Sequence, residues 1–301
     1  MSPSIQLHWQ TSVLVSCLHA AEVLLRKQPL ADSGLAAALA GPVATLDLAM
    51  REDHLPAGKF LSHLLGLAAG IDSLTELTEV ALTKTIGRTQ AGPRVCQYRG
   101  LLSDVRNAFT GALPDLQASL VKSLQPLRQR WELEGIPILA GAVNASEPGM
   151  LVEEATVVGI SPAQGGGGAA SLDYNVARIE AVVDDPVPEL PEVLRLAWLL
   201  SVLNLDLPRY SENIPADRLP VVAGLATVPL TLLAAEESRL ATCDPPTVGL
   251  AVQTWLGQLE PKEQWAAILN QWWDVYRSMR PPWATALEAL DQMFLEGRPD
   301  N

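Results

Sequence analysis

Between residues 113 and 204 the spacing of apolar side chains changes twice, and this limits the possible folds more than any other feature. From Pro114 to Glu134, Leu116, Leu120, Leu124, Leu127 and Trp131 recur at three- and four-residue steps, the signature of one buried helix face. The stretch "LVEEATVVGI", 151–160, is instead β-branched and short. In "SLDYNVARIEAVV", 171–183, alternation puts Ala177, Ile179, Ala181 and Val183 on one face. The two stretches read as antiparallel strands. After Asp184, Asp185 and Pro186 the helical step returns in "ELPEVLRLAWLLSVLN", 189–204. This helix is apolar almost all round and so expected to be buried. Pro191 and the acids Glu189 and Glu192 stand at the end that favours them.

The strands are joined by "SPAQGGGGAA", which holds Gly165 to Gly168. A phosphate-binding loop of this kind needs a lysine followed by Ser or Thr, leading into a helix whose first N–H groups face the anion. No lysine follows here, and the next segment is a strand. The run reads as slack in a long hairpin loop.

Elsewhere the periodicity is helical. Leu14, Cys17, Leu18, Ala21, Leu24 and Leu25 share one face, and further helices are expected over 57–70, 72–87, 97–110 and 218–241. Asp72 is the expected N-cap of the second of these and Gly87 its stop. The expected fold is α+β, predominantly α-helical, with a small antiparallel sheet (a hairpin over about 151–183) packed on helices. Residues 1–111 read as an N-terminal helical region, and 112–301 as a helix–hairpin–helix core with a Trp-rich end.

The net charge of −13 is uneven. Residues 1–150 hold 12 basic and 13 acidic side chains, and residues 151–301 hold 9 and 21. Within the first half, 80–131 carries eight basic residues against Asp104 and Asp115. With little aromatic interleaving, this segment suits the acidic half of the chain, or of a second copy, better than nucleic acid. An acidic protein repels the phosphates it would have to neutralise. No apolar run reaches the roughly 20 residues of a membrane-spanning helix. "SVLVSCLHAAEVLL", 12–25, is short and interrupted by His19 and Glu22. Cys17, Cys96 and Cys243 are far apart and form no CxxC pair, which argues against disulfides and thiolate zinc sites. A cytoplasmic protein with no membrane or nucleic-acid partner is expected.

Catalytic constellations are sparse. His8, His19, His54 and His63 all precede residue 64, and His54 and His63, nine apart, share no helical face, so neither a metal site nor a cofactor is expected. "GISPA", 159–163, lacks the context of a serine nucleophile. The densest polar segment, "NLDLPRYSEN", offers Asp206, Arg209, Tyr210 and Glu212 as a set for a small polar ligand or proton transfer. Mutual ion pairing and local capping, with Arg218 also available, account for the same residues. Near the end, Trp265, Trp272, Trp273 and Tyr276 lie along one helical stretch and serve either as core or as an interface with a partner.

The strand "YNVARIEAVV" followed by "PELPEVLRLAWLL" resembles the layout of zincin metallopeptidases. In that family an edge strand lines the cleft, and the next helix carries HExxH, with two histidines for zinc and a glutamate to activate water. Here Leu196–Ala197–Trp198–Leu199–Leu200 stands in that place, without ligands or base. The resemblance covers about residues 113–204 and implies a metal-free relative of the scaffold. The expected function is a non-catalytic scaffold or interaction protein whose partner is another protein or itself. The other reading is an enzyme or ligand binder using residues 204–213.

Overall fold

The structure is a computed structural model, and it describes residues 5–256 and 262–297. It opens with a strand, β1 (Gln6–Thr11), followed by α1 (Val13–Leu25), α2 (Ser33–Glu52), α3 (Ala57–Leu67) and α4 (Leu74–Ile86). Next come a short α5 (Arg88–Ala91), α6 (Val95–Ala112), α7 (Leu116–Arg130) and α8 (Ile136–Ala145). Three strands follow, β2 (Glu154–Ile160), β3 (Gly168–Ser171) and β4 (Val176–Glu180). Helices complete the described chain: α9 (Glu192–Val202), short α10 (Pro208–Ser211), α11 (Leu219–Glu237), α12 (Pro245–Trp255), α13 (Lys262–Met279) and α14 (Trp283–Glu296).

The chain is predominantly helical α+β, as expected, but its sheet is mixed rather than an antiparallel hairpin. The strand order is β1-β2-β4-β3. β1 pairs with β2 in parallel, in the register Gln6 to Glu154. β2 and β4, the two strands expected to be antiparallel, also run parallel. The antiparallel partner of β4 is the short β3, most of which falls in the glycine-rich stretch read as the connecting loop. β1 is an unexpected strand drawn from the region read as helical.

Helices cover both faces of the sheet. α1 and α3 pack on one, and α7 and α9 on the other. Arg178 and Glu180 face α1, while Ala177 and Ile179 lie on the opposite side of β4. Because both faces are covered, all five residues of β4 are buried.

Local signals explain most element ends. Ser73, rather than Asp72, caps α4, its hydroxyl accepting the Glu76 N–H, and Gly87 ends that helix at φ +81°. The helix expected over 114–134 continues beyond Arg130 through one wide turn, Trp131–Gly135, into α8. α9 is buried at every residue, Glu192 and Arg195 included. α2 and α11 are long and apolar enough to cross a membrane by length and composition, with 33% and 78% of the relevant windows buried. Neither is one unbroken apolar run: Asp47, Arg51 and Glu52 lie in α2, Glu236 and Glu237 end α11, and Ser, Thr, Gly and Pro are interspersed in both.

Candidate functional site

The topology creates one crowded place. β2 and β4 are neighbours and parallel, whereas β3, between them in sequence, lies on the far side of β4. The connection 161–167 must therefore cross over the carboxyl end of β4. In open sheets with parallel strands, that end is where ligands collect. Here it holds a buried group of charged side chains roofed by the glycine-rich connection.

Glu180, the last residue of β4, is fully buried. Its carboxylate accepts the main-chain N–H of Gln164 at 3.0 Å and of Gly166 at 2.7 Å. His19, on α1, lies with Nε2 3.1 Å from the same carboxylate. One turn along α1, Glu22 meets the guanidinium of Arg178 at 3.2 Å and that of Arg26 at 2.6 Å. His19 Nδ1 stands 3.7 Å from Glu22. At the start of α9, Arg195 donates to Glu192 at 3.0 Å and reaches the Gly166 carbonyl at 3.5 Å. Asp185 accepts the Glu192 N–H at 2.8 Å and is held by Arg130 at 2.7 Å.

The glycine connection is therefore pinned, not slack. Gly165 and Gly166 have φ +85° and +134°, a region that L side chains rarely adopt. A side chain on Gly166 would also meet Pro186 at 2.4 Å. The loop is tied outside the charge group too: Ser161 N–H donates to Ser16 Oγ at 2.9 Å, and Ala31 N–H to the Ala163 carbonyl at 2.8 Å. The run does cradle an anion, and that anion is the chain's own carboxylate.

Burial and pairing set the protonation of the group. Burial pushes the Glu22 carboxyl up, but Arg178, His19 and Arg26 outweigh it and bring the group to about 2. Burial also raises Glu180, and its bonds to His19, Gly166 and Gln164 reverse that, leaving it below its ordinary value. For His19, burial disfavours the charged form, yet the bonds to Glu180 and Glu22 raise its pKa. Glu192 goes the other way. Burial dominates, Arg195 only partly offsets it, and the charges of Asp185 and Glu180 add to the rise, bringing the carboxyl to about 7. Glu192 Oε2, Arg178 Nε and His19 Nδ1 are buried without a hydrogen-bond partner. No group of three or more His, Cys, Asp or Glu side chains among the described residues could hold a metal ion.

No protein-family model, no curated protein and no solved structure matches this chain.

The residues singled out from sequence lie elsewhere. Arg209 and Tyr210 are in contact, the guanidinium 4.5 Å above the ring, and Arg209 donates to the Gly149 carbonyl. Tyr210 is buried, Asp206 half-buried and Glu212 exposed. Burial raises the Asp206 carboxyl. Arg218, the other cation considered for this segment, makes a two-pronged pair with the buried Asp291 at 2.7 and 2.8 Å. The aromatic set lies inside. Trp265 stacks on Phe294, Trp272 donates to the Ala286 carbonyl, and Tyr276 donates to the Ala145 carbonyl. Trp272, Trp273, Tyr276 and Trp283 form a mutually packed group.

Sequence reasoning missed the buried group. Its one visible signal was His19 and Glu22, which interrupt an apolar helix three residues apart, together with Arg178 and Glu180 on one face of a strand.

Proposed function

We propose that the protein is a non-catalytic scaffold that acts by binding another protein, and that its buried charge group is a structural clasp. One observation carries this reading: the carboxylate at the end of β4 is already engaged by two loop N–H groups and His19, all from the same chain. A buried pair with both partners present holds a geometry, and losing one partner leaves an uncompensated charge. The clasp fixes the crossing loop over the strand ends, where a ligand would otherwise enter.

The metal-free zincin-like scaffold is part of the same proposal. It is supported by the antiparallel β3 at the sheet edge and by α9, which follows β4 and packs on both strands. A cytoplasmic setting is supported by the three free cysteines.

Thermal denaturation of Glu180→Gln and Arg178→Met tests the clasp. A structural role predicts that both lose stability, by about 3–5 kcal/mol for removal of one partner from a buried pair. Strained catalytic groups behave oppositely, and their replacement commonly stabilises the fold. A gain in melting temperature for either variant would overturn the proposal in favour of an active site.

A further inference from the structure

Gly166 is gripped through both of its main-chain groups by charged side chains. Its N–H donates to Glu180 at 2.7 Å, and the Arg195 guanidinium lies 3.5 Å from its carbonyl. Behind each grip stands a second titratable group. Glu180 bonds to His19 at 3.1 Å, and Arg195 donates to Glu192 at 3.0 Å. His19 and Glu192 are both buried, and His19 Nδ1 and Glu192 Oε2 have no hydrogen-bond partner. The ends of the loop are tied independently of this group. Ser161 and Ala163 bond to Ser16 and Ala31, and the Glu180 N–H donates to the Gly167 carbonyl at 2.9 Å. The stretch between, 164–166, is held by the charged groups and, at its surface, by a bond from Gln164 to Gln28.

His19 faces Glu22 on its own helix and Arg178 and Glu180 on β4. The other elements packed on α1 direct their charges elsewhere: Asp47 of α2 to Lys27 and Arg51, His63 of α3 to Tyr174, Glu154 of β2 to His8, and Arg106 of α6 toward Cys17. Glu192 faces Arg195 on its own helix, Glu180 on β4 and Asp185 in the connection before it. Asp185 is held in turn by Arg130 of α7. Of the other elements packed on α9, β3 and α8 carry no charged residue, α11 has acids only in its last turn, and Glu132 and Glu134 of the wide turn pair with Arg128 and Arg130. Ionised Glu192 therefore joins two other carboxylates with Arg195 as its own cation.

We infer that the crossing loop is a latch worked by protons: with His19 and Glu192 protonated it holds Gln164 to Gly166 over the end of β4, and with both deprotonated it lets them lift. Loss of the His19 proton leaves Glu180 a buried anion without its counter-charge, which is costly in a dry site. Loss of the Glu192 proton adds a buried charge beside Glu180 and Asp185 and draws Arg195 away from the Gly166 carbonyl. Lifting 164–166 admits water to both carboxylates and relieves both costs. The two groups act in one direction, shut below neutrality and open above it. For His19, burial disfavours the charged form and the bonds to Glu180 and Glu22 outweigh it, so the proton is kept to a higher pH than usual. Burial brings Glu192 to about 7. This inference rests on the clasp reading and adds what releases the clasp.

Amide exchange of the full chain near pH 6 and near pH 8 tests the latch, expressed as protection factors so that the intrinsic pH dependence of exchange drops out. A carboxyl that titrates at about 7 with the loop shut and at its ordinary 4.5 with the loop open favours the shut state about tenfold more near pH 6 than near pH 8. Protection at Gln164 and Gly166 should fall by about that factor or more. Because the opening is local, their exchange should be insensitive to low urea, whereas the amides of β2 follow global unfolding. Glu192→Gln, neutral at every pH, should remove most of the fall. His19→Gln should lower protection near pH 6, and it carries the test should Glu192→Gln prove unstable. Equal protection at the two pH values, an undiminished fall in Glu192→Gln, or urea dependence matching that of β2 would overturn the latch and leave the clasp standing. No protection at either amide near pH 6 would overturn both.

Discussion

The main-chain N–H of Gly166 points at the carboxylate of Glu180, 2.7 Å away, across the end of the strand that the loop must pass. The relationship follows from topology. A loop crossing a strand end carries N–H groups that no ladder satisfies, and an unsatisfied buried donor costs about 1–3 kcal/mol. Glu180, at the last ladder position of its strand, supplies the acceptor.

Gly166 is accordingly hard to replace, as is Gly168, where an added Cβ would meet the Arg178 carbonyl at 2.5 Å. Gly166→Ala should destabilise by about 1–3 kcal/mol from backbone strain alone, with the contact to Pro186 adding to that cost. Gly165 shares a positive φ but has nothing within 4 Å of an added Cβ. Urea denaturation should rank Gly166→Ala below Gly165→Ala, and both below the unmodified chain. Equal stability of all three would mean that the loop is not held as described.

Glu22 and Arg178 should be strongly coupled. Arg178→Met removes one partner of the buried Glu22 carboxylate, leaving it Arg26 and His19, and should cost about 3–5 kcal/mol. Glu22→Leu alone should also destabilise. The double variant should recover part of the loss, because replacing a buried pair by apolar groups is often close to neutral. A double-mutant cycle measures this, and strict additivity would show that the pair does not act as a unit.

The helices were largely legible in the sequence, and the buried group was not. A helix face repeats every three or four residues, so the leucines of α7 announce themselves whatever they pack against. Strand direction leaves no such mark. The alternation of 171–183 is the same whether β4 pairs with β2 in parallel or antiparallel, and only the crossing loop decides. Arg178 and Glu180 look like the wet side of a half-exposed strand. Their burial arises because α1, more than 150 residues earlier in the chain, covers that face with His19 and Glu22. β1 does alternate, Ile5, Leu7 and Trp9 with Gln6, His8 and Gln10, but the stretch is short, lies directly before a stronger helical pattern, and has its partner β2 almost 150 residues away.

Stability should fall as pH rises across neutrality. Glu192 titrates at about 7 in the folded chain, above the ordinary carboxylate value of 4.5. Between those two values the folded state binds the extra proton, so the contribution is present below about 4.5 and is lost as pH rises through 7. His19, also raised, acts in the same direction, its contribution being complete below 6.5 and lost above that. Melting temperature should therefore be higher near pH 6 than near pH 8, and Glu192→Gln should flatten the dependence. A steeper profile in the variant would contradict the assignment.

The aromatic group near the end of the chain should behave as core. Tyr276→Phe removes only the bond to the Ala145 carbonyl and should cost about 0.5–1.5 kcal/mol. Trp283→Ala, at a side chain 1% exposed, should cost about 3–5 kcal/mol. Calorimetry separates the two. A Trp283→Ala variant as stable as the parent would place this side chain outside the core.

Hydrogen exchange at the Gln164 and Gly166 amides tests the clasp most directly. The account predicts slow exchange at both in the unmodified chain, and a selective gain at these two positions in Glu180→Gln while the amides of β2 remain protected. Rapid exchange at both amides before any substitution, or no change on removing the Glu180 charge, would contradict it.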